Sequence, residues 1–214
     1  LIRKGMSKQS HSEVILSKIQ NLFQKANINF NDLDLLVVTM GPGSFTGVRV
    51  GINLINTLSF VFNKPIFSLD SLFLLALSAN HQNFPVVILM NAHKNQNYVA
   101  QYSVYNQRLE TLLEPRSLTH DEVEKIIQQP HLCLGDGFDF YKDDFSAALR
   151  KNLLRKKEFS DYPSCLTVFE NFKTLGLDQL NNLDKNSWKT NKPLYIRASE
   201  AEEKLWKGLI KDHS

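Results

Sequence analysis

Gly41-Pro42-Gly43-Ser44-Phe45-Thr46-Gly47-Val48-Arg49-Val50-Gly51 holds four of the chain's nine glycines and lies between two apolar runs, residues 33–40 and 52–62. That layout reads as strand, glycine turn, helix. Glycine supplies positive φ and lets the backbone approach a neighbour closely. A helix N-terminus offers unpaired N–H groups to an anion. A tight turn whose glycines serve packing alone has the same appearance.

Three generic readings of the loop fail on spacing. A Walker A loop requires a lysine beside its last glycine, and none occurs between Lys25 and Lys64. The dinucleotide fingerprint needs a glycine three positions beyond Gly43, whereas Gly47 lies four beyond. A nucleophile elbow needs glycine two before Ser44, where Pro42 stands.

On the N-terminal side, Ser10-x-x-Glu13 reads as a capping box opening a helix to about Ala26, with Ile15, Ile19, Leu22 and Ala26 as its apolar stripe. Residues 33–40 are apolar almost throughout, as in a parallel strand covered on both faces. The helix after Gly47 has two apolar faces. Val48, Ile52, Ile55 and Phe62 make one, and Val50, Leu54, Leu58 and Val61 make the other, with Arg49, Asn53 and Asn56 between them. Such a helix must be covered on more than one side.

Residues 65–69 read as the next strand, then a helix capped by Asp70 or Ser71 with Leu72, Leu75, Ala76 and Ala79 inward. This alternation predicts an α/β half over residues 1–80 and a second over 81–214. In the second, residues 86–90, 98–105 and 109–118 read as strands, Thr119 caps a short helix, and 132–134 lead into Gly135-Asp136-Gly137. Residues 174–191 read as loop or irregular helix, 193–197 as extended, and 198–210 as a helix anchored by Trp206.

The 214 residues are 43% apolar and 22% charged, an ordinary globular composition. A net charge of +3 and a pI of about 8.8 are too mild to argue nucleic-acid binding. The cationic cluster from Arg150 to Lys157 reads as a solvated helix end. Cys133 and Cys165 are too few for a disulfide framework, and no secretory signal is visible, so a cytoplasmic location is expected. The apolar runs read as shorter than a membrane span.

The stretch 41–51 resembles, nearly letter for letter, the GPGSFTG-x-R-x-G signature of the TsaB (YeaZ) family, matched at Gly41, Gly43, Ser44, Thr46, Gly47, Arg49 and Gly51. Ser10-His11-Ser12-Glu13, Leu33-Asp34 and Pro193-Leu194-Tyr195-Ile196-Arg197 stand at family-like positions. The resemblance implies a two-half α/β fold of the ribonuclease-H-like, actin and sugar-kinase kind. It implies a non-catalytic subunit that binds and stabilises the catalytic TsaD, which transfers a threonylcarbamoyl group to adenine 37 of ANN-decoding transfer RNAs. The TsaE ATPase joins that complex, and TsaC supplies the adenylate. Transfer RNA is then met through the complex rather than directly.

The family further implies that the first two helices form the dimerisation surface. Candidate interface residues are Ile15, Ile19, Leu22, Val48, Ile52 and Ile55, giving a homodimer in isolation that exchanges for a heterodimer with TsaD. Family members begin with a further β-hairpin carrying Asp-Thr-Ser. The sequence starts at Leu1 just before the first helix, so that hairpin is expected to be missing.

Candidate chemistry is sparse. His11 and Glu13 are two apart on a helix and point to different sides. His81, His93, His120, His131 and His213 have no metal-ligand spacing, so no metal and no cofactor is expected. Asn91-Ala92-His93 stands where the family commonly shows Asp-Ala-Arg, which removes a charge pair. Gly135-Asp136-Gly137 resembles a loop that contacts adenosine in kinase-like folds, although a simple turn is the favoured reading. No set of nucleophile, base and oxyanion donor can be assembled. The competing reading is a kinase-like or glycoprotease-like enzyme with Asp136 as its one well-placed acid. Gly43 and Gly47 are expected to hold a backbone that a Cβ would strain.

Overall fold

The computed structural model describes residues 11–82, 84–177 and 183–197. The chain divides into two compact units, Leu1–Leu77 with Pro163–Pro193, and Ser78–Tyr162 with Leu194–Ser214. The chain first passes to the second unit between Leu77 and Ser78, and Pro163–Pro193 returns to the first unit. Its buried Val168 and Leu177 need an apolar surface, which Leu74 and the flank of the first strand supply.

In the first unit, α1 (His11–Ala26) ends at Asn27, whose φ is +53°. The Asn27 N–H donates to the Gln24 carbonyl and the Ile28 N–H to that of Phe23, a Schellman closure. Ser10 and the Glu13 side chain lie outside the described residues, and so does the capping box. A short 3-10 turn, Phe30–Asp32, delays β1 (Leu36–Gly41). Then come α2 (Phe45–Phe62), β2 (Ile66–Asp70) and α3 (Ser71–Leu77). β1 and β2 pair in parallel from Leu36↔Ile66 to Gly41↔Asp70, with a register shift between Thr39 and Gly41. Asp70 caps α3, its carboxylate accepting from the N–H of Leu72 at 2.6 Å and Phe73 at 3.0 Å.

The two edges of this small sheet differ. Beyond β2, the Ile66 N–H donates to Ser187 Oγ at 2.9 Å. Beyond β1 no further strand lies among the described residues. Instead an apolar groove of about 440 Å³ runs between Val37, Val38, Leu74, Phe169 and Phe172. Val37 is exposed, so β1 is not covered on both faces.

The second unit is a five-stranded sheet in the order β5-β4-β3-β6-β7. β3 (Val86–Asn91), β4 (Gln96–Tyr105) and β5 (Arg108–Thr119) form an antiparallel meander. β6 (His131–Leu134) joins β3 in parallel, and β7 (Leu153–Leu154) joins β6. Asn106 and Gln107, at φ +48° and +60°, make the tight turn between β4 and β5. α4 (His120–Ile126) opens on a capping box between Thr119 and Glu122. The Thr119 N–H and hydroxyl hold the Glu122 carboxyl below its ordinary range. Of three short helices, α5 (Gly137–Tyr141), α6 (Ala147–Asn152) and, in the first unit, α7 (Cys165–Glu170), only α6 has a counterpart in the sequence pattern, the helix end at Arg150 and Lys151.

The core of the second unit sets Val87, Leu89 and Val99 against Val123, Ile127, Tyr141, Phe145 and Leu149. Cys133 sits inside it, and burial pushes its thiol up to about 12, against the opposing pull of Arg155. At pH 8 it is therefore a neutral, enclosed thiol, whereas Cys165 is exposed. Native chain treated with a thiol reagent at pH 8 is expected to release one fast equivalent, with the second appearing only in denaturant. Two fast equivalents would contradict the packing of β6.

Within the cationic cluster, Arg150 and Lys151 are exposed in the last turn of α6. Arg155 is not solvated in the same way. It donates to the carbonyls of Cys133 at 3.0 Å and Gly135 at 3.4 Å and pairs with Asp161 at 2.6 Å.

Candidate interaction surface

The glycine loop builds a helix start. Gly41 is buried at φ +107°, on the bulge that ends β1, and the Gly41–Pro42 peptide is cis. Ser44 is the N-cap of α2. Its Oγ accepts from the Gly47 N–H at 3.3 Å, and its carbonyl accepts from the Val48 N–H at 2.9 Å. The Arg49 guanidinium lies 3.9 Å over the ring of Phe45, one turn earlier. Thr46 is exposed.

The backbone constraint falls elsewhere than at Gly43 and Gly47. A Cβ on Gly43 would meet Val48 Cγ2 at 3.6 Å, and one on Gly47 would meet Ser44 at 3.4 Å, near-ordinary contacts. Neither residue has the positive φ that Gly41 has. Gly51 has nothing within 4 Å of its Cβ position. Gly41→Ala is therefore expected to destabilise by about 1–2 kcal/mol, from left-handed backbone. Gly51→Ala should stabilise by roughly 0.5–1 kcal/mol, from helix propensity. Denaturant titration checks both; a Gly41→Ala variant as stable as the parent would refute the loop geometry.

α2 is the unusual element. Of its eighteen residues only Ile52 and Ser59 are buried. Ile52 is 1% exposed and belongs to the core. This takes Ile52 out of the candidate interface: α2 packs on β1, and the buried Ile52 and Ser59 mark its inward side. Val48 and Ile55 are half-buried beside it, as are Ile15, Ile19 and Leu22 on α1, which touches α2. Phe23, Phe30 and Phe62 lock the helix ends together, with ring centroids 4.3 and 4.6 Å apart.

The other apolar face is the open one. Val50, Leu54 and Leu58 are half-buried, Val61 is 60% exposed and, on α1, Leu16 is exposed. By length and composition α2 could span a membrane, which corrects the estimate of its apolar run. Its attachment at Ile52, and the bond from Asn56 Nδ2 to the Asn191 carbonyl at 3.1 Å, tie it to this unit.

Gly135-Asp136-Gly137 is closed by its own unit. Gly135 has φ +99°, and a Cβ there would fall on the Leu89 carbonyl. A Cβ on Gly137 would overlap Asn97 Oδ1 and lie 2.8 Å from Leu89 O. Asp136 Oδ1 accepts from the Asn91 N–H at 3.0 Å. Asn91 Oδ1 in turn accepts from the His93 N–H at 2.7 Å and from the Tyr141 hydroxyl at 2.9 Å. Asn91 thus supports a turn of three left-handed residues, His93, Lys94 and Asn95. A neutral amide suffices for those bonds. Among the described residues no cluster suited to a metal occurs.

A three-strand meander continued by parallel strands in one unit, and a strand–glycine turn–helix–strand in the other, define the actin-like and ribonuclease-H-like class of α/β folds. Two solved Pseudomonas aeruginosa structures share the fold. One is described as an uncharacterized protein with similarity to peptidase YEAZ, with a TM-score of 0.69, 17% identity, and coverage of 88% of this chain and 85% of that one. The other is YeaZ, with a TM-score of 0.69, 18% identity, and coverage of 87% and 85%. The family model for TsaD, tRNA N6-adenosine threonylcarbamoyltransferase, matches residues 5–205.

A tRNA threonylcarbamoyladenosine biosynthesis protein TsaB from Buchnera aphidicola subsp. Schizaphis graminum is 30% identical over 146 residues, 65% of this chain and 69% of that protein. The TsaB of Bacillus subtilis is 30% identical over 138 residues, 63% of this chain and 60% of the relative. A tRNA N6-adenosine threonylcarbamoyltransferase from Dictyoglomus turgidum is 31% identical over 123 residues, 55% of this chain and 37% of that protein. The chain belongs to the TsaB (YeaZ) family.

Proposed function

We propose that the chain is the accessory, non-catalytic subunit of a bacterial threonylcarbamoyladenosine-forming complex, and that it works by binding and stabilising TsaD. The observation that carries the reading is the open Val50–Leu54–Leu58–Val61 face of α2 in a chain of the TsaB family. The likeness to both TsaB and a threonylcarbamoyltransferase adds a physical reason. Chains of one fold can present the same helix pair to a copy of themselves or to a relative, so a homodimer exchanges for a heterodimer. TsaE joins the complex, transfer RNA is met through TsaD, and the site of action is the cytoplasm.

Sedimentation velocity tests this. The chain alone is expected to run as a dimer, and addition of TsaD should replace that species with a heterodimer. A monomer that ignores TsaD would contradict the reading.

A further inference from the structure

Asn97 is fully buried in β4, yet among the described residues neither its Nδ2 nor its Oδ1 has a hydrogen-bond partner. His120 Nε2 is enclosed and unpartnered in the same way. Buried amides and imidazoles almost always find partners, because an unmet group gives up its bonds to solvent without replacement.

Both side chains border one end of the second unit's core. Asn97 stands opposite Asn91 of β3 and Leu118 of β5. Opposed residues of an antiparallel pair share a face of the sheet. On that face Asn91 Oδ1 accepts from the Tyr141 hydroxyl and from the His93 N–H, so both its lone pairs are taken and it cannot serve the Asn97 amide. The Tyr141 ring lies 4.7 Å from that of His120, centroid to centroid, and Phe145 meets His120 edge-on at 5.2 Å. Gly137 packs against Asn97 Oδ1 so closely that a Cβ would overlap it.

We propose that this corner is a buried hydration site, in which water is bound by the Asn97 amide and reaches His120 Nε2. A buried water makes about three hydrogen bonds to otherwise unmet groups, which matches Asn97 Nδ2, Asn97 Oδ1 and His120 Nε2. The mixed character of the three atoms selects the ligand. Nδ2 donates, Oδ1 accepts, and Nε2 does either according to its tautomer. A cation requires several oxygens and an anion several donors, whereas a water molecule both donates and accepts. The water links β4 to the first residues of α4 and α5, His120 and Gly137.

The test is water–protein cross-relaxation by NMR on the full chain, together with oxygen-17 relaxation dispersion. Cross-peaks from water are expected to the Asn97 side-chain amide protons and to the His120 ring protons, with the sign that marks a long residence. Asn97→Leu, close to asparagine in shape, should lower the number of long-lived waters seen by dispersion. Tyr141→Phe removes a hydroxyl that could relay magnetisation, and the cross-peaks should survive it. Absent cross-peaks at either residue of the parent chain, or an unchanged count in folded Asn97→Leu, would overturn the proposal. So would cross-peaks that vanish with Tyr141→Phe, since the hydroxyl would then have carried them. If Asn97→Leu does not fold, the parent and Tyr141→Phe spectra decide the matter alone.

Discussion

Gly135→Ala is expected to be among the most damaging single-methyl changes in the chain. Its Cβ would land on the Leu89 carbonyl oxygen, 2.9 Å from the carbonyl carbon, at a φ of +99°. Neither neighbour is a flexible side chain. β3 lies at the centre of the second sheet and cannot retreat without parting from β4 or β6. Left-handed strain and overpacking together give about 3–5 kcal/mol, a large share of a domain's stability. Gly137→Ala should be nearly as severe, because moving Asn97 aside leaves Leu89 O only 2.8 Å away. Urea titration of the second unit checks both. A loss below about 1 kcal/mol for Gly135→Ala would show that the turn does not press on β3.

Val61→Glu is expected to leave the free chain folded and to weaken TsaD binding severely. Val61 is 60% exposed, so a carboxylate there stays in water until a partner covers it. Covered, it is a charge without a counter-ion, costing about 2–5 kcal/mol, or roughly thirtyfold and more in Kd. Leu54→Glu should act alike, with some loss of stability because Leu54 is half-buried. Ile52→Glu is the contrast: at 1% exposure it should unfold the unit rather than affect binding. If Val61→Glu binds TsaD as the parent does, the outward face of α2 is not the contact.

What the sequence reveals here is mostly local. The Thr119 cap and strands β2 to β6 follow from short-range patterns that the structure keeps, and of the two caps the pattern offers for α3 the structure uses Asp70. The choice between the two faces of α2 was not legible. Both are apolar, and only the packing of Ile52 and Ser59 on the unit decides which turns inward. α5, α6 and α7 span five or six residues, too few to show a helical period. The return of Pro163–Pro193 to the first unit is a long-range contact that spacing does not encode. The glycine pattern points to Gly43 and Gly47, whereas the described glycines at positive φ are Gly41, Gly135 and Gly176. Asn91 reads as a lost charge in sequence and as a turn support in space.

Reconstituted transfer tests the accessory role most directly. TsaD, TsaE and the threonylcarbamoyl adenylate are incubated with transfer RNA, with and without this chain, and the modified nucleoside is counted. The expected result is background product without the chain, restored product with it, and neither product nor ATP hydrolysis from the chain alone. Robust turnover by the purified chain, abolished by Asp136→Asn, or product formed equally well in its absence, would contradict the account.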